Sequence, residues 1–380
     1  MARRSAIVLC VAVAALVVLG LVMLASTSVW VEDEDTRYFH VKRQVLWTGV
    51  GLLAACCMAF LDYRLLRRFW IHILVGACVL LALCYVPGVG VLRNGETRWI
   101  NLPFLGQFQP SEPAKIAIMI ALAAWFAQYQ AEARCFWRGF VLPGLLLAIP
   151  TGLIFFEKDM GTAAAVGAAG FALMFAAGTR WWWLAVSAAA GFAGLAYMVR
   201  MDDNRWSRIM SFMDLEGTKL GFGLQQYRAR LAFGSGGVTG VGLGNGAEKH
   251  GYLPFAHTDF IFAMIGEELG LVFTLGTVFA FVLICTAGLG IALHAQDHFG
   301  RVLGVGITAV IVVPAIMNIG VATATLPNTG LPLPFVSYGG SNLVFTLAAV
   351  GLLVSLHRRA VFAERAELPV IKERKLALKL

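Results

Sequence analysis

The chain has 380 residues, of which 59% are hydrophobic and 14% charged, with a mean hydropathy of +0.76 and a formal net charge of +8. That balance is too apolar for a soluble domain and reads as a membrane protein. Its seven cysteines, Cys10, Cys56, Cys57, Cys78, Cys84, Cys135 and Cys285, fall in apolar runs or a short loop assigned to the cytoplasm, which excludes a disulfide framework; their spacing matches no zinc site.

About ten runs approach the length needed to cross the hydrocarbon of a bilayer, roughly 30 Å: 6–28, 45–61, 71–88, 114–128, 139–156, 161–178, 181–199, 259–293, 303–325 and 341–357. The expected fold is therefore an all-α polytopic membrane protein, one domain over 1–380, with a large extracytoplasmic loop at 200–258 and a basic cytoplasmic tail at 358–380. The first run follows Arg3-Arg4 like a signal peptide, but it is long and lacks a small-x-small cleavage site, so it is read as a retained span. With the N-terminus inside, 16 of the 30 basic residues face the cytoplasm; once the long loop, which escapes the rule, is set aside, seven remain outside. The acidic cluster Glu32-Asp33-Glu34-Asp35 then lies outside, and both termini lie in the cytoplasm.

The first three spans carry little chemistry, and the residues around Arg43-Gln44 and Asp62-Tyr63 read as turns with ordinary interface anchors. The next outer segment, Arg93 to Lys115, is polar. Ser111-Glu112-Pro113 looks like a helix start, with a capping hydroxyl, an acid in the first turn and a proline whose missing N–H costs nothing. Glu112 and Lys115, three apart, share a helix face; they form either a structural ion pair or part of a binding site. Glu157-Lys158-Asp159-Met160-Gly161-Thr162 is a second cluster of charge at the outer surface. It is either a solvated turn, with Asp159 capping the next span, or a functional group. Span six is rich in Gly and Ala, as close helix packing requires, and Trp181 to Trp183 belong to an aromatic belt.

The long loop is basic, with Arg200, Arg205, Arg208, Lys219, Arg228, Arg230 and Lys249 against five acids before Asp259. Leu220, Leu224, Tyr227 and Leu231 recur at helical spacing, which predicts an amphipathic helix over 218–233 lying on or dipping into the outer leaflet. The glycine-rich run Gly234 to Gly246 lacks the Gly-Lys-Ser/Thr of a P-loop, so nucleotide binding is a poor reading; amides bared by glycine can still cradle an anion. Outward-facing basic residues suit either a phosphate-bearing lipid ligand or anionic headgroups in general.

His257-Thr258-Asp259 closes this loop against an apolar helix. A carboxylate at the lipid boundary faces a polar cavity or a partner, which makes Asp259 a functional candidate; the alternative is that Asp259 or Thr258 only N-caps the helix. Glu267 and Glu268 point to different sides of that helix at about 100° per residue. They cannot both join Asp259 and read as structural. The last outer loop, Leu326 to Ser341, is too rich in Pro and Gly to be helical, and irregular backbone at such depth belongs beside a cavity.

Taken together, Asn94-Gly95 with Arg98-Trp99-Ile100, Gln109-Pro110-Ser111-Glu112 with Lys115, Asp159 with Gly161-Thr162, Gly234-Ser235-Gly236-Gly237, His257 to Phe262 with Gly266 to Gly270, and Pro332 to Ser341 resemble the SEDS family, the FtsW and RodA proteins of bacterial shape, division and sporulation. The resemblance implies a ten-span protein of the bacterial cytoplasmic membrane that polymerises lipid II into glycan strands beside a class B penicillin-binding protein. The Gly266 to Gly270 run and Val321-Ala322-Thr323 lean towards the FtsW branch. It implies Asp259 as the catalytic residue and a substrate site drawing on Glu112, Lys115, Arg98, Arg205, Arg208, Asp159, His257, Thr258 and Ser337. Lys115 and Arg98 are the preferred partners of the departing diphosphate. The expected partners are lipid II, undecaprenyl-diphosphate-linked glycan and membrane lipid, not nucleic acid; a divalent cation is a possible cofactor. Phe255 stands where the family has Glu, Pro113 for Phe, Lys158 for Pro, Arg228 for Gln and Pro314 for Gln; the missing acid at 255 weakens any cation site shared with Asp259. The rival readings are a lipid II flippase with Asp259, Glu267 and Glu268 as polar steps, and a non-catalytic scaffold for a transpeptidase.

Overall fold

The computed structural model describes residues 2–28, 38–93, 96–102 and 106–377. The acidic cluster Glu32 to Asp35 and the Asn94-Gly95 pair lie outside the described residues. In chain order the elements are α1 (Ala2–Ser28), α2 (Phe39–Phe60), α3 (Tyr63–Arg68) and α4 (Trp70–Leu83); β1 (Gly90–Arg93), β2 (Glu96–Leu102) and β3 (Gly106–Phe108); α5 (Ser111–Gln128), α6 (Leu142–Phe156), α7 (Met160–Ala176), α8 (Trp181–Arg200), α9 (Asp203–Met213), α10 (Leu224–Gly236), α11 (Ile261–Leu293), α12 (His298–Ala322) and α13 (Gly340–Ala377).

Each of the expected apolar runs is a helix. Among the described residues seven helices are long and apolar enough to cross a membrane, and α4 and α7 are shorter apolar helices. The tenth, α5, carries Glu112 and Lys115 in its first turns yet is buried along most of its length, packed by α4, α6, α7, α12 and α13. A helix sheltered all round from lipid can carry an ion pair that a lipid-facing helix could not. Around it, α2 runs along α13 and α1 along α11.

Two local expectations need correction, and the segment before α5 adds a feature of its own. The segment before α5 folds as an antiparallel sheet, order β1-β2-β3, with Val91 opposite Trp99 and Asn101 opposite Gln107. The residue at the α5 N-cap is Pro110, and Ser111 is the first helical residue; its buried hydroxyl has no hydrogen-bond partner among the described residues, so it does not cap. The helix expected over 218–233 begins only at Leu224, and Leu220 is 92% exposed in a turn. The buried face of α10 is Gln226, Ala229, Ala232 and Gly236, which packs on α11. Small residues let backbones approach: a Cβ on Gly236 would collide with the Gly266 carbonyl. The amphipathic surface helix is instead α9, with Trp206, Ile209 and Met213 at helical spacing.

α11 is broken. Gly270 has φ 77° and ψ −170°, an extended left-handed conformation that only glycine adopts readily. The glycine-rich loop fills the break: Val241 and Gly242 donate their amides to the Glu267 and Glu268 carbonyls, and Leu271 donates to Gly237. The backbone groups freed by the kink are thus satisfied within the membrane domain, as burial demands.

Candidate active site

A cavity of about 760 Å³ opens at the end of the bundle where β2 and β3, the 251–260 turns and residues 330–342 meet. Asp259 lines it, half-buried in a turn one residue before Phe260, the N-cap of α11. Thr258 does not cap either: its hydroxyl turns back to the Phe255 carbonyl at 3.3 Å.

The Pro- and Gly-rich loop is held beside Asp259 by a short ladder of hydrogen bonds. Tyr338 donates its amide to the His257 carbonyl at 3.1 Å, and Ser337 Oγ donates to the Thr258 carbonyl at 2.6 Å while accepting from Leu333 N at 2.8 Å. Asn318 of α12 donates to the carbonyls of both Asp259 and Leu331, each at 2.7 Å. From α2, the buried Gln44 amide donates to the Ser337 carbonyl and accepts from Gly339 N. The expected placement of this loop at the Asp259 cavity is what the structure has. Ser337, expected to touch substrate, instead has its hydroxyl committed to Thr258 and Leu333 and is not among the lining residues.

On the opposite wall, Asp159 caps α7, accepting from Thr162 N at 3.0 Å. Its second oxygen meets Gln109 Nε2 at 3.1 Å and Arg98 of β2 at 3.5 Å. The capping reading of Asp159 is what the structure has, but the turn is not a solvated one: Asp159 is buried and also lines the cavity. Glu112 lines the cavity, bonded to Asn342, and Lys115 pairs with it at 2.8 Å. Lys115 is buried and does not line the cavity: it sits behind Glu112, so the structure does not present it to a diphosphate.

The side chains of Arg205 and Arg208, in α9, lie outside the described residues. Lys249, counted among the outward-facing cations, is 1% exposed and bonded to Glu268 at 2.8 Å and to Ser26; Arg228 is paired with Glu248 and lies over the Tyr252 ring. The glycine-rich loop does cradle an anion, and it is the protein's own: Gly244 N donates to Glu268, and Ala247 and Glu248 amides donate to Glu267.

Sequence reasoning missed the α2 wall. His40, Arg43 and Trp47 recur at helical spacing and line the cavity. They escaped because the helix starts at Phe39, ahead of the apolar run, so that Arg43-Gln44 reads as a turn. His40, His257 and Tyr338 pack ring to ring, at 5.3 Å and 4.7 Å from His40. Burial, with His40 adding to it, pushes the His257 imidazole down to about 4, so it is neutral near pH 7. Phe255 also lines the cavity, at φ 59°. Among the described residues no group of three His, Cys, Asp or Glu side chains could hold a metal ion.

The arrangement is one half-buried carboxylate between a neutral imidazole–aromatic wall and an arginine-bearing wall. It is suited to accepting a proton from a hydroxyl while an anion is held across from it. The profile of the family described as cell cycle protein, FtsW/RodA/SpoVE, matches residues 6–361. The chain belongs to the FtsW/RodA/SpoVE family. The probable peptidoglycan glycosyltransferase FtsW of Geobacter metallireducens is 38% identical over 94% of this chain and 95% of its own length. Stage V sporulation protein E of Bacillus subtilis is 37% identical over 90% and 94%. Among solved structures, a chain of a peptidoglycan synthase complex that coordinates polymerization and crosslinking superposes with a TM-score of 0.77 at 30% identity, covering 93% of this chain and 97% of that one. Rod shape determining protein RodA of Thermus thermophilus gives 0.68 at 30% identity, covering 92% and 95%. The departures from the FtsW/RodA pattern have local outcomes. Lys158 adopts φ 67°, which a proline ring forbids, and Arg228 has its own acid in Glu248.

Proposed function

We propose that this FtsW/RodA protein is an inverting peptidoglycan glycosyltransferase that polymerises lipid II at the outer leaflet of the bacterial cytoplasmic membrane, with both termini in the cytoplasm and a class B penicillin-binding protein as partner. The observation that carries the mechanism is the placement of Asp259 on the cavity wall, with its turn pinned by Asn318, Ser337 and Tyr338. Asp259 takes the proton of the GlcNAc 4-hydroxyl of an incoming lipid II. The oxygen lone pair forms the new bond to the anomeric carbon of the growing strand, and the bond from that carbon to undecaprenyl diphosphate breaks with its electron pair. A well-placed base is worth roughly 10² to 10⁴ in rate.

The charge developing on the diphosphate calls for fixed positive groups. Arg98 and Arg43, which face the cavity, are the groups for that role; Lys115 serves by neutralising Glu112. His257 and Thr258 shape the wall around the acceptor sugar. Two of the three polar steps of the flippase reading are otherwise engaged, because Glu267 and Glu268 are tied to loop amides, Ser26 and Lys249.

The deciding experiment gives lipid II to the purified protein, with its partner, in detergent micelles, where flipping has no meaning. A polymerase yields glycan strands, and Asp259→Asn abolishes them while lipid II still binds. Full polymerisation by Asp259→Asn overturns the base assignment; no polymer from the wild-type complex overturns the activity.

A further inference from the structure

Directly behind the Arg98 wall lies an acid that the mechanism does not use. Glu157 closes α6 at its C-terminal cap and is 0% exposed, and among the described residues its carboxyl oxygens meet no hydrogen-bond donor stronger than the Cys84 thiol. A buried carboxylate left that way is costly, whereas the neutral acid is tolerated. The groups facing it are the Cys84 thiol and Tyr85 from the end of α4, Asp159 from its own turn and Arg98 from β2; Lys158, next in the chain, is exposed.

The charge count at this corner explains why neutrality matters. Asp159, 2% exposed, and Arg98, 25% exposed, sum to zero, and Asp159 is further tied down by Thr162 N and Gln109. Ionising Glu157 turns the corner net negative immediately behind the arginine that faces the cavity. An anion on the cavity side would then meet repulsion through low-dielectric protein.

We propose that Glu157 is a positioning residue for the diphosphate end of the substrate: kept as the neutral acid beneath the Asp159–Arg98 pair, it leaves Arg98 to attract the anion, and its ionisation weakens that attraction. The inference rests on the diphosphate-binding reading given above. Supporting it, burial, with the Asp159 charge second, pushes Glu157 up to about 8. Between pH 7 and 9 Glu157 therefore changes charge.

The test measures kcat and KM for lipid II with the purified wild-type complex and Glu157→Gln, from pH 6.5 to 9. In the wild type KM rises on the order of tenfold between pH 7 and 9, with kcat little changed; in Glu157→Gln, which mimics the neutral acid, KM stays flat. Glu157→Asp, still titratable, keeps an alkaline limb and serves if the glutamine variant folds poorly. Parallel KM profiles in wild type and Glu157→Gln overturn the proposal. Lipid II affinity measured on Asp259→Asn, with and without Glu157→Gln, at pH 7 and 9 reads the same effect without turnover. A pH-dependent affinity that Glu157→Gln abolishes supports the proposal even if no polymer forms, and one unaffected by it overturns the proposal whatever the polymerase assay gives.

Discussion

Asn318 holds Asp259 by its backbone, its side-chain amide donating at 2.7 Å to the Asp259 carbonyl and at 2.7 Å to that of Leu331. One buried side chain on α12 therefore sets the distance between the turn that carries the candidate base and the loop that faces it. Asn318→Leu strands two carbonyls, at a cost of about 2 to 4 kcal/mol. The expected outcome is a lower melting temperature in detergent together with a fall in kcat for lipid II. Full turnover by a folded Asn318→Leu protein would show that the turn holds its place without this clamp.

The position of Lys115 behind Glu112 separates two roles for the lysine. If it neutralises Glu112, then Lys115→Met leaves a carboxylate facing the cavity and raises KM for lipid II, and adding Glu112→Gln restores much of the affinity. A lysine in direct contact with the diphosphate would give no such rescue. Comparing KM in the single and double variants decides between them.

Lys249 and Glu268 form an ion pair with 1% and 0% of their side chains exposed. Removing one member of such a pair costs about 3 to 5 kcal/mol, because the other is left charged and buried. Lys249→Met is expected to lower the melting temperature sharply. Lys249→Met with Glu268→Gln recovers more than half of the loss, since a neutral amide can still accept from Gly244 N and Ser26. Thermal unfolding of the wild type and the two variants in one detergent checks the order.

Glu157 also predicts a dependence of stability on pH. Its folded value, about 8, lies above its ordinary 4.5, so between those values the folded chain keeps a proton that the unfolded chain releases. Its contribution is fully present below about 4.5 and is lost as pH rises towards 8, a term on the order of a few kcal/mol. Glu157→Gln removes the dependence. The variant should melt higher than wild type at pH 8 and no higher at pH 4.5; equal melting curves at pH 8 would mean that the acid ionises in the fold without cost.

The spans and the position of Asp259 on the cavity wall were legible because both rest on local pattern. Runs of apolar residues fix the helices, and a His-Thr-Asp triplet against such a run marks the boundary where Asp259 sits. The rest depends on contacts between distant parts of the chain. Lys249 read as an outward cation because its acid lies on a separate element, across the glycine-rich loop. Arg43 read as part of a turn, and His40 drew no reading, because α2 extends beyond its apolar run. Glu157 read as part of a solvated turn because only the packing of α4 against α6 buries it. The helix over 218–233 was misjudged for a different reason: against membrane-embedded neighbours it is small residues that make the contact, so the spacing of leucines marks the wrong face.

The break at Gly270 divides α11 into two pieces with different loyalties. The piece from Ile261 to Leu269 is stitched to the glycine-rich loop and, through Lys249 and Ser26, to the tip of α1; the piece beyond Gly270 belongs to the span proper. The turn that carries Asp259 leads directly into the first piece, so the footing of that carboxylate is the glycine-rich loop and the end of α1 and not the long remainder of the helix.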